Sequence, residues 1–213
     1  SNGEYKIVFN QQKTSQLEYL PISNQAMELI GKAGKPDERV FVGLRYSNYM
    51  NMELQRWVIN GGITNKIIKD LKTPEDIFDY VVRALSYNTS KTNEKNERLG
   101  AAKVLKDPFF AVCLEFTDLF ITLARSKGIP ARAVEGYAHT ENDPLRPTDL
   151  FQDVLHAWPE YYDETLKAWV MVDPTWTDTT GGVDFFHVFD FDHVAFVKNG
   201  LSSTYPVPAG GYK

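Results

Sequence analysis

The chain has 213 residues, of which 43% are hydrophobic and 24% are charged, and its formal net charge is −5. This length and composition are typical of a globular protein with a full core, as one domain or one domain with an appendage. The acidic balance excludes the basic surface that nucleic acids or anionic membranes attract, and no apolar run approaches the roughly 20 residues that cross a bilayer. The single cysteine excludes an internal disulfide and a two-cysteine zinc knuckle.

The N-terminus reads Ser1-Asn2-Gly3, which is typical of a cloning remnant on a trimmed chain. A signal peptide or membrane anchor that had been removed would leave no trace in such a sequence. The cellular location therefore stays open, and an extracytoplasmic or cell-surface location is slightly favoured.

The first 70 residues carry weak signals, and we expect residues 1–70 to form an extension that packs on a core domain at residues 71–213. β-branched and aromatic residues favour strands here, and Ser23 is a candidate helix cap. The predicted elements are a short strand or ordered tail at 5–9, a helix at 24–32, a strand at 40–46 and an ambiguous segment at 53–59.

Two strong helix signals follow in the predicted core. Residues 73–76 (Thr-Pro-Glu-Asp) combine a cap, a proline at the first helical position and an acid at the third, which predicts a helix to near Tyr87. A shorter helix is indicated at 98–106, before a proline. Residues 113–127 space their large apolar side chains as a helix does, and Gly128 suits the C-terminal cap.

Strand signals dominate the second half of the chain. β-branched and aromatic content, with turn residues between the runs, favours strands over helices there. The predicted strands are 131–138, 156–162 and 167–172, with two further candidates at 183–188 and 194–198. Helices first and strands later indicate an α+β fold with a mostly antiparallel sheet.

A possible thiol site combines Cys113, His156 and Asp173. Cys113 opens a predicted helix, where unpaired N–H groups and a partial positive charge favour a thiolate over the neutral thiol. A histidine can pair with that thiolate, and a carboxylate can fix the imidazole tautomer. A lone cysteine with a separate histidine and acid is the inventory of a nucleophile, its base and its orienter.

The blocks around these three residues resemble the core of the transglutaminase-like superfamily. Residues 113–120 (CLEFTDLF) and 128–137 (GIPARAVEGY) resemble its cysteine block and the strand that follows. Residues 156–160 (HAWPE) and 169–175 (WVMVDPT) resemble its histidine and aspartate blocks, in the family's order. The chain departs from the family at Phe110-Ala111-Val112, where a glycine is common, and at Pro159, where a small polar residue is common.

The resemblance implies a papain-like α+β core in which N-terminal helices pack on the sheet. It also implies that Cys113 is the nucleophile, His156 the base and acid, and Asp173 the orienter. The implied reaction is acyl transfer or hydrolysis at protein or peptide amides through a Cys113 thioester, without a cofactor. Hydrolysis by a peptidase, amidase or deamidase is slightly favoured over cross-linking, because water is the default acceptor. The alternative is a non-catalytic interaction or structural domain that keeps the fold.

Other side chains are candidates for supporting roles in this site. Acyl transfer needs an oxyanion donor, for which the Cys113 backbone N–H is one candidate and Tyr87 or Asn88 another. Trp158 and Trp176 are most simply core residues, but they could line the cleft and keep the ion pair dry.

A metal site is a further possibility near the C-terminus. His187 and His193 lie close in sequence to Asp184, Asp190 and Asp192, and imidazole and carboxylate groups can bind a divalent ion. Aspartates near late strands are more commonly solvated turn residues. We therefore expect that the chemistry needs no metal.

Overall fold

A computed structural model describes residues 56–57, 59, 61–90, 98–139, 155–187 and 193–199 of the chain. The predicted elements at 5–9, 24–32 and 40–46 lie outside these residues and stay predictions. The proposed division of the chain at residue 70 also stays a prediction.

Helices and one antiparallel sheet make up the described fold, which confirms the predicted α+β class. The four strands lie in the order β3-β2-β1-β4, and each neighbouring pair is antiparallel. In chain order the elements are α1 (Gly61–Ile68), α2 (Pro74–Ala84), α3 (Ala101–Val104), a 3-10 turn (Pro108–Phe110), α4 (Cys113–Ser126), β1 (Ala131–Ala138), β2 (Leu155–Asp163), β3 (Ala168–Met171), α5 (Pro174–Thr179) and β4 (His193–Asn199).

Helix α2 begins as its sequence predicts. The Thr73 hydroxyl accepts a hydrogen bond from the Asp76 N–H at 3.1 Å, and the Asp76 carboxylate accepts one from the Thr73 N–H at 2.9 Å. The helix ends at Ala84, earlier than expected, because Leu85 is extended and Tyr87 pairs with Ala111 in a parallel bridge. The residues after α2 therefore lie beside the segment that leads into α4.

Helix α4 lies at the centre of the described core. Its residues from Glu115 to Arg125 are all buried, since it packs against β2 on one side and against α2 and α3 on others. Gly128 follows with φ 79, a left-handed conformation that glycine adopts without strain, as the sequence predicts. The central position explains why polar residues of this helix are buried as well as apolar ones.

The strand predictions at 131–138, 156–162, 167–172 and 194–198 are confirmed to within one or two residues. The strand predicted at 183–188 is wrong over the described residues 183–187, none of which lies in a strand, and residues 185–187 form a turn. The Asp184 carboxylate accepts hydrogen bonds from the N–H groups of Phe186 and His187, which stabilises a turn instead.

Three differences concern helices. The predicted helix at 98–106 is confined to Ala101–Val104, because Gly100 has φ 74 and lies outside the helical region. Helices α1 and α5 are not among the predicted elements. The second of these is short and begins where Asp173 caps it.

A buried polar cluster joins the N-terminal part of the described fold to α4 and β1. Arg98 donates to the Asp118 carboxylate at 2.8 and 2.6 Å and to Glu135 at 3.2 Å, and Trp57 donates its indole N–H to Asp118 at 2.7 Å. Burial opposes the charge on Arg98, but Asp118 and Glu135 outweigh it and raise the pKa of Arg98. Breaking such a buried pair by removing one partner costs about 3–5 kcal/mol.

Gly136 offers a test of how tightly β1 and β4 pack. A Cβ at this position would lie 2.0 Å from the carbonyl oxygen of Val194, a backbone atom that cannot move away cheaply. We predict that Gly136→Ala lowers the free energy of unfolding by more than about 3 kcal/mol, the upper end of ordinary overpacking costs. Urea unfolding followed by circular dichroism measures the change.

Gly181→Ala is the matched control. A Cβ there meets nothing within 4 Å, although φ is +78, so only backbone strain of about 1–2 kcal/mol is expected. Equal costs at the two positions would contradict the close approach of β4 to Gly136.

Candidate active site

Cys113 is the first residue of α4 and is partly exposed. Val112, the residue before it, has an extended backbone, and its side chain forms no cap hydrogen bond at the start of the helix. The thiol therefore lies at the positive end of a 14-residue helix, where an anion is stabilised.

A buried carboxylate fixes the start of this helix. Glu115 is fully buried, and it accepts hydrogen bonds from the backbone N–H of Leu99 at 2.7 Å and of Val112 at 3.0 Å. The residue before Cys113 is thereby tied to the segment that leads into α3. The Glu115 carboxylate thus ties the backbone before Cys113 to the first turn of α4.

The predicted oxyanion candidates Tyr87 and Asn88 lie beside the segment that precedes Cys113. The Asn88 N–H donates to the carbonyl of Ala111 at 2.8 Å, and the Asn88 side-chain amide donates to the carbonyl of Phe109 at 3.0 Å. The amide of Asn88 thus already has an acceptor in this structure. An oxyanion role for Tyr87 or Asn88 stays a prediction.

His156 and Asp173 form a buried pair. Nε2 of His156 lies 2.7 Å from Oδ2 of Asp173, and the side chains are 1% and 0% exposed. His156 is the second residue of β2, whereas Asp173 follows β3, the neighbouring strand. The other carboxylate oxygen, Oδ1, accepts the N–H of Trp176 at 3.0 Å and caps α5.

The two partners stabilise each other's charged forms. Burial alone lowers the pKa of His156, but the charge and hydrogen bond of Asp173, with a contribution from Cys113, hold it well above the ordinary 6.5. Burial alone raises the pKa of Asp173, but His156 and His193 outweigh it and hold it well below its usual value. At neutral pH the pair is therefore an imidazolium and a carboxylate.

The second ring nitrogen of His156 faces away from Asp173. Nε2 lies against Oδ2 of Asp173, whereas Nδ1 is buried and has no hydrogen-bond partner among the described residues. Cys113 contributes to the raised pKa of His156, and a direct pairing of Nδ1 with the thiol stays a prediction. Hydrogen bonds between catalytic groups are often long without substrate and tighten when it binds.

His193 also belongs to this site, although the sequence does not predict it there. Its Nε2 lies 3.0 Å from Oδ2 of Asp173, the same oxygen that contacts His156, and its side chain is fully buried. The sequence pointed to it only as a possible metal ligand. Its place beside Asp173 depends on the pairing of β4 with β1, in which His193 lies opposite Ala138.

Two tryptophans enclose the histidines. The ring of His156 lies 5.9 Å from that of Trp158 and 5.7 Å from that of Trp176, measured between centroids. His193 lies between the same two rings, at 4.9 and 4.3 Å. Both tryptophans are fully buried, and a role in keeping the ion pair dry stays a prediction.

His156, Asp173 and His193 could also hold a metal ion, since one ligand atom from each lies within 4.8 Å of the others. The N–O distances of 2.7 and 3.0 Å are those of hydrogen bonds, however. Ligands at about 2.0–2.2 Å from zinc in a tetrahedral site lie roughly 3.3 Å apart, so the cluster would have to widen.

The metal site that the sequence suggests is a different group of residues, which includes His187. His187 hydrogen-bonds to Asp184 at 2.8 Å, and both side chains are more than half exposed. His193 is turned into the core, and Asp190 and Asp192 lie outside the described residues. The two histidines of that candidate site thus lie in different environments.

The family model of the transglutaminase-like superfamily matches residues 59–174, more than half of the chain. The chain therefore belongs to the transglutaminase-like superfamily. No curated protein sequence matches it. Among the described residues, no helix has the length and apolar character needed to cross a membrane.

Solved structures are similar to this chain at low identity. One is a "Putative Cysteine Protease" from Cytophaga hutchinsonii, 21% identical, with a TM-score of 0.45, covering 72% of this chain and 48% of that one. The periplasmic domain of TgpA from Pseudomonas aeruginosa is 17% identical, with a TM-score of 0.44 and coverages of 67% and 53%. Its ethylmercury-bound form is 21% identical, with a TM-score of 0.39 and coverages of 54% and 42%. The chain thus spans about half the length of these structures.

The charge pair predicts a specific pH dependence of stability. The depressed pKa of Asp173 adds stability above its unfolded pKa near 3.9, and the raised pKa of His156 adds stability that is full below about 6.5 and is lost as pH rises through its folded value. We predict that Asp173→Asn costs about 3 kcal/mol near pH 5.5 and less as the pH rises through the raised folded pKa of His156. Urea unfolding at several pH values measures it.

Glu164→Gln is the control for this measurement. Glu164 pairs with Lys167 at 2.9 Å, but both side chains are more than half exposed, so solvent screens the pair. We expect the stability cost of Glu164→Gln to show no measurable change with pH over the same range. A cost of Asp173→Asn that stays constant from acid to alkaline pH would contradict an ionised His156–Asp173 pair.

Proposed function

We propose that this chain catalyses acyl transfer from protein or peptide amides through a thioester on Cys113. The observation that supports this most directly is the partly exposed cysteine at the start of α4, in a fold that also holds the buried, hydrogen-bonded pair of His156 and Asp173. Membership of the transglutaminase-like superfamily supports the same reading.

The proposed first step forms the thioester. The Cys113 thiolate attacks the amide carbonyl, and the developing oxyanion is stabilised by backbone N–H groups at the start of α4. His156, protonated on Nδ1, gives that proton to the leaving amine as the C–N bond breaks. Asp173 holds Nε2 of the ring throughout, so the ring presents Nδ1 to the reacting atoms.

The second step resolves the thioester. Neutral His156 takes a proton from water at Nδ1, the resulting hydroxide attacks the carbonyl, and the Cys113 thiolate leaves. If a lysine amine attacks instead, the product is a new amide and the enzyme is a cross-linker. We favour hydrolysis, because water is the default acceptor where nothing excludes it.

We predict that Cys113→Ala lowers turnover by at least about 1,000-fold, since the variant has no nucleophile. Asp173→Asn should keep more activity than Cys113→Ala, because the thiol and imidazole remain. The assay measures amide hydrolysis and ammonia release from glutamine-containing peptides, with and without an added primary amine. Mass spectrometry of the trapped protein should show the acyl group on Cys113.

Ser126→Ala is the matched control. Ser126 lies at the other end of α4, and its hydroxyl donates to the carbonyl of Thr122 at 2.7 Å. We expect this variant to retain wild-type turnover. Equal activity in Cys113→Ala and the wild type would end the proposal. An inactive wild type with an unreactive thiol would favour the interaction-domain alternative.

A further inference from the structure

We propose that His193 is a positioning residue of this site, which fixes the Asp173 carboxylate that orients His156. The inference deepens the proposed function and rests on it. The arrangement is then a line of four groups, Cys113–His156–Asp173–His193, in which the fourth group acts only through the third.

One carboxylate oxygen joins the two imidazoles. Oδ2 of Asp173 lies 2.7 Å from Nε2 of His156 and 3.0 Å from Nε2 of His193. An ionised carboxylate accepts hydrogen bonds and cannot donate them. Each histidine therefore presents an Nε2–H to Asp173, so one oxygen holds a proton on Nε2 of both rings.

The third bond to Asp173 completes its restraint. Oδ1 accepts the N–H of Trp176 at 3.0 Å, so the carboxylate is held at one oxygen by the backbone and at the other by two rings. Without His193, Oδ2 would have only His156 as a partner among these groups. The carboxylate and the His156 ring that it orients could then rotate together about the remaining hydrogen bond from the Trp176 N–H.

The surroundings of His193 fit this role. The ring lies 4.3 Å from the Trp176 ring and 4.9 Å from the Trp158 ring, and its side chain is fully buried. Among the ionisable groups that it faces are Asp173 and, with ring centroids 5.6 Å apart, His156. Buried side chains that act on a reacting group through a hydrogen bond give it a fixed orientation.

Two substitutions separate the hydrogen bond from the bulk of the side chain. His193→Gln can place an amide N–H near the position of Nε2, whereas His193→Leu fills similar space and has no donor. We expect His193→Gln to retain kcat within about threefold. We expect His193→Leu to lose about tenfold to a hundredfold in kcat, with little change in KM, because a small misplacement of a reacting group costs on that order.

The readouts include two that need no turnover. Nitrogen-15 NMR of the histidine-labelled full chain, recorded for the wild type and for both variants, reports which ring nitrogens carry protons. We expect Nε2–H on both His156 and His193 in the wild type, and faster exchange of the His156 Nε2–H in His193→Leu than in His193→Gln. The rate of iodoacetamide alkylation, which reports on Cys113 alone, should be lower in His193→Leu than in His193→Gln.

The outcomes distinguish this inference from the proposed function. An unprotonated Nε2 on His193 in the wild type would overturn it. So would His193→Leu matching the wild type in His156 exchange and alkylation, or folded His193→Gln and His193→Leu being impaired equally. Expected NMR and alkylation results in a wild type without amide turnover would support the positioning role and count against the proposed function.

Discussion

The described site depends on one buried carboxylate. Asp173 receives hydrogen bonds from His156, from His193 and from the backbone of Trp176, and each comes from a different part of the chain. A lone buried carboxylate would carry a large desolvation penalty and would take up a proton. Three donors offset that penalty, so a negative charge can be kept in the core, where it acts on His156 with little screening by water.

A second set of buried charges supports the helix that carries the thiol. Asp118 and Glu115 are fully buried on α4 and are neutralised or hydrogen-bonded by Arg98, Trp57 and the backbone before Cys113. Such contacts add little net stability over apolar packing, but they are directional. They fix the rotation and axial position of α4 relative to its neighbours, which apolar contacts alone specify less sharply.

Local chemistry made several elements predictable from the sequence. The Thr73–Asp76 cap, the helix from Cys113 and its end at Gly128 each follow from residues that act on their immediate neighbours. Cys113, His156 and Asp173 were named from blocks that resemble the transglutaminase-like superfamily, and their catalytic roles stay a prediction. His193 could not be placed beside Asp173, because its position follows from strand pairing across a long stretch of chain. The segment around Asp184 forms a turn and not the predicted strand, because the Asp184 side chain accepts backbone N–H groups that a strand would use for pairing.

The contact between Asp178 and Tyr87 has a consequence for how the two halves of the site stay aligned. Asp178 belongs to the short helix that begins after Asp173, and its carboxylate accepts the backbone N–H of Tyr87 at 3.0 Å. Tyr87 in turn pairs with Ala111, two residues before Cys113. One short helix therefore links Asp173, which caps it, to the segment that precedes Cys113. We expect these contacts to limit changes in the distance between Asp173 and the start of α4.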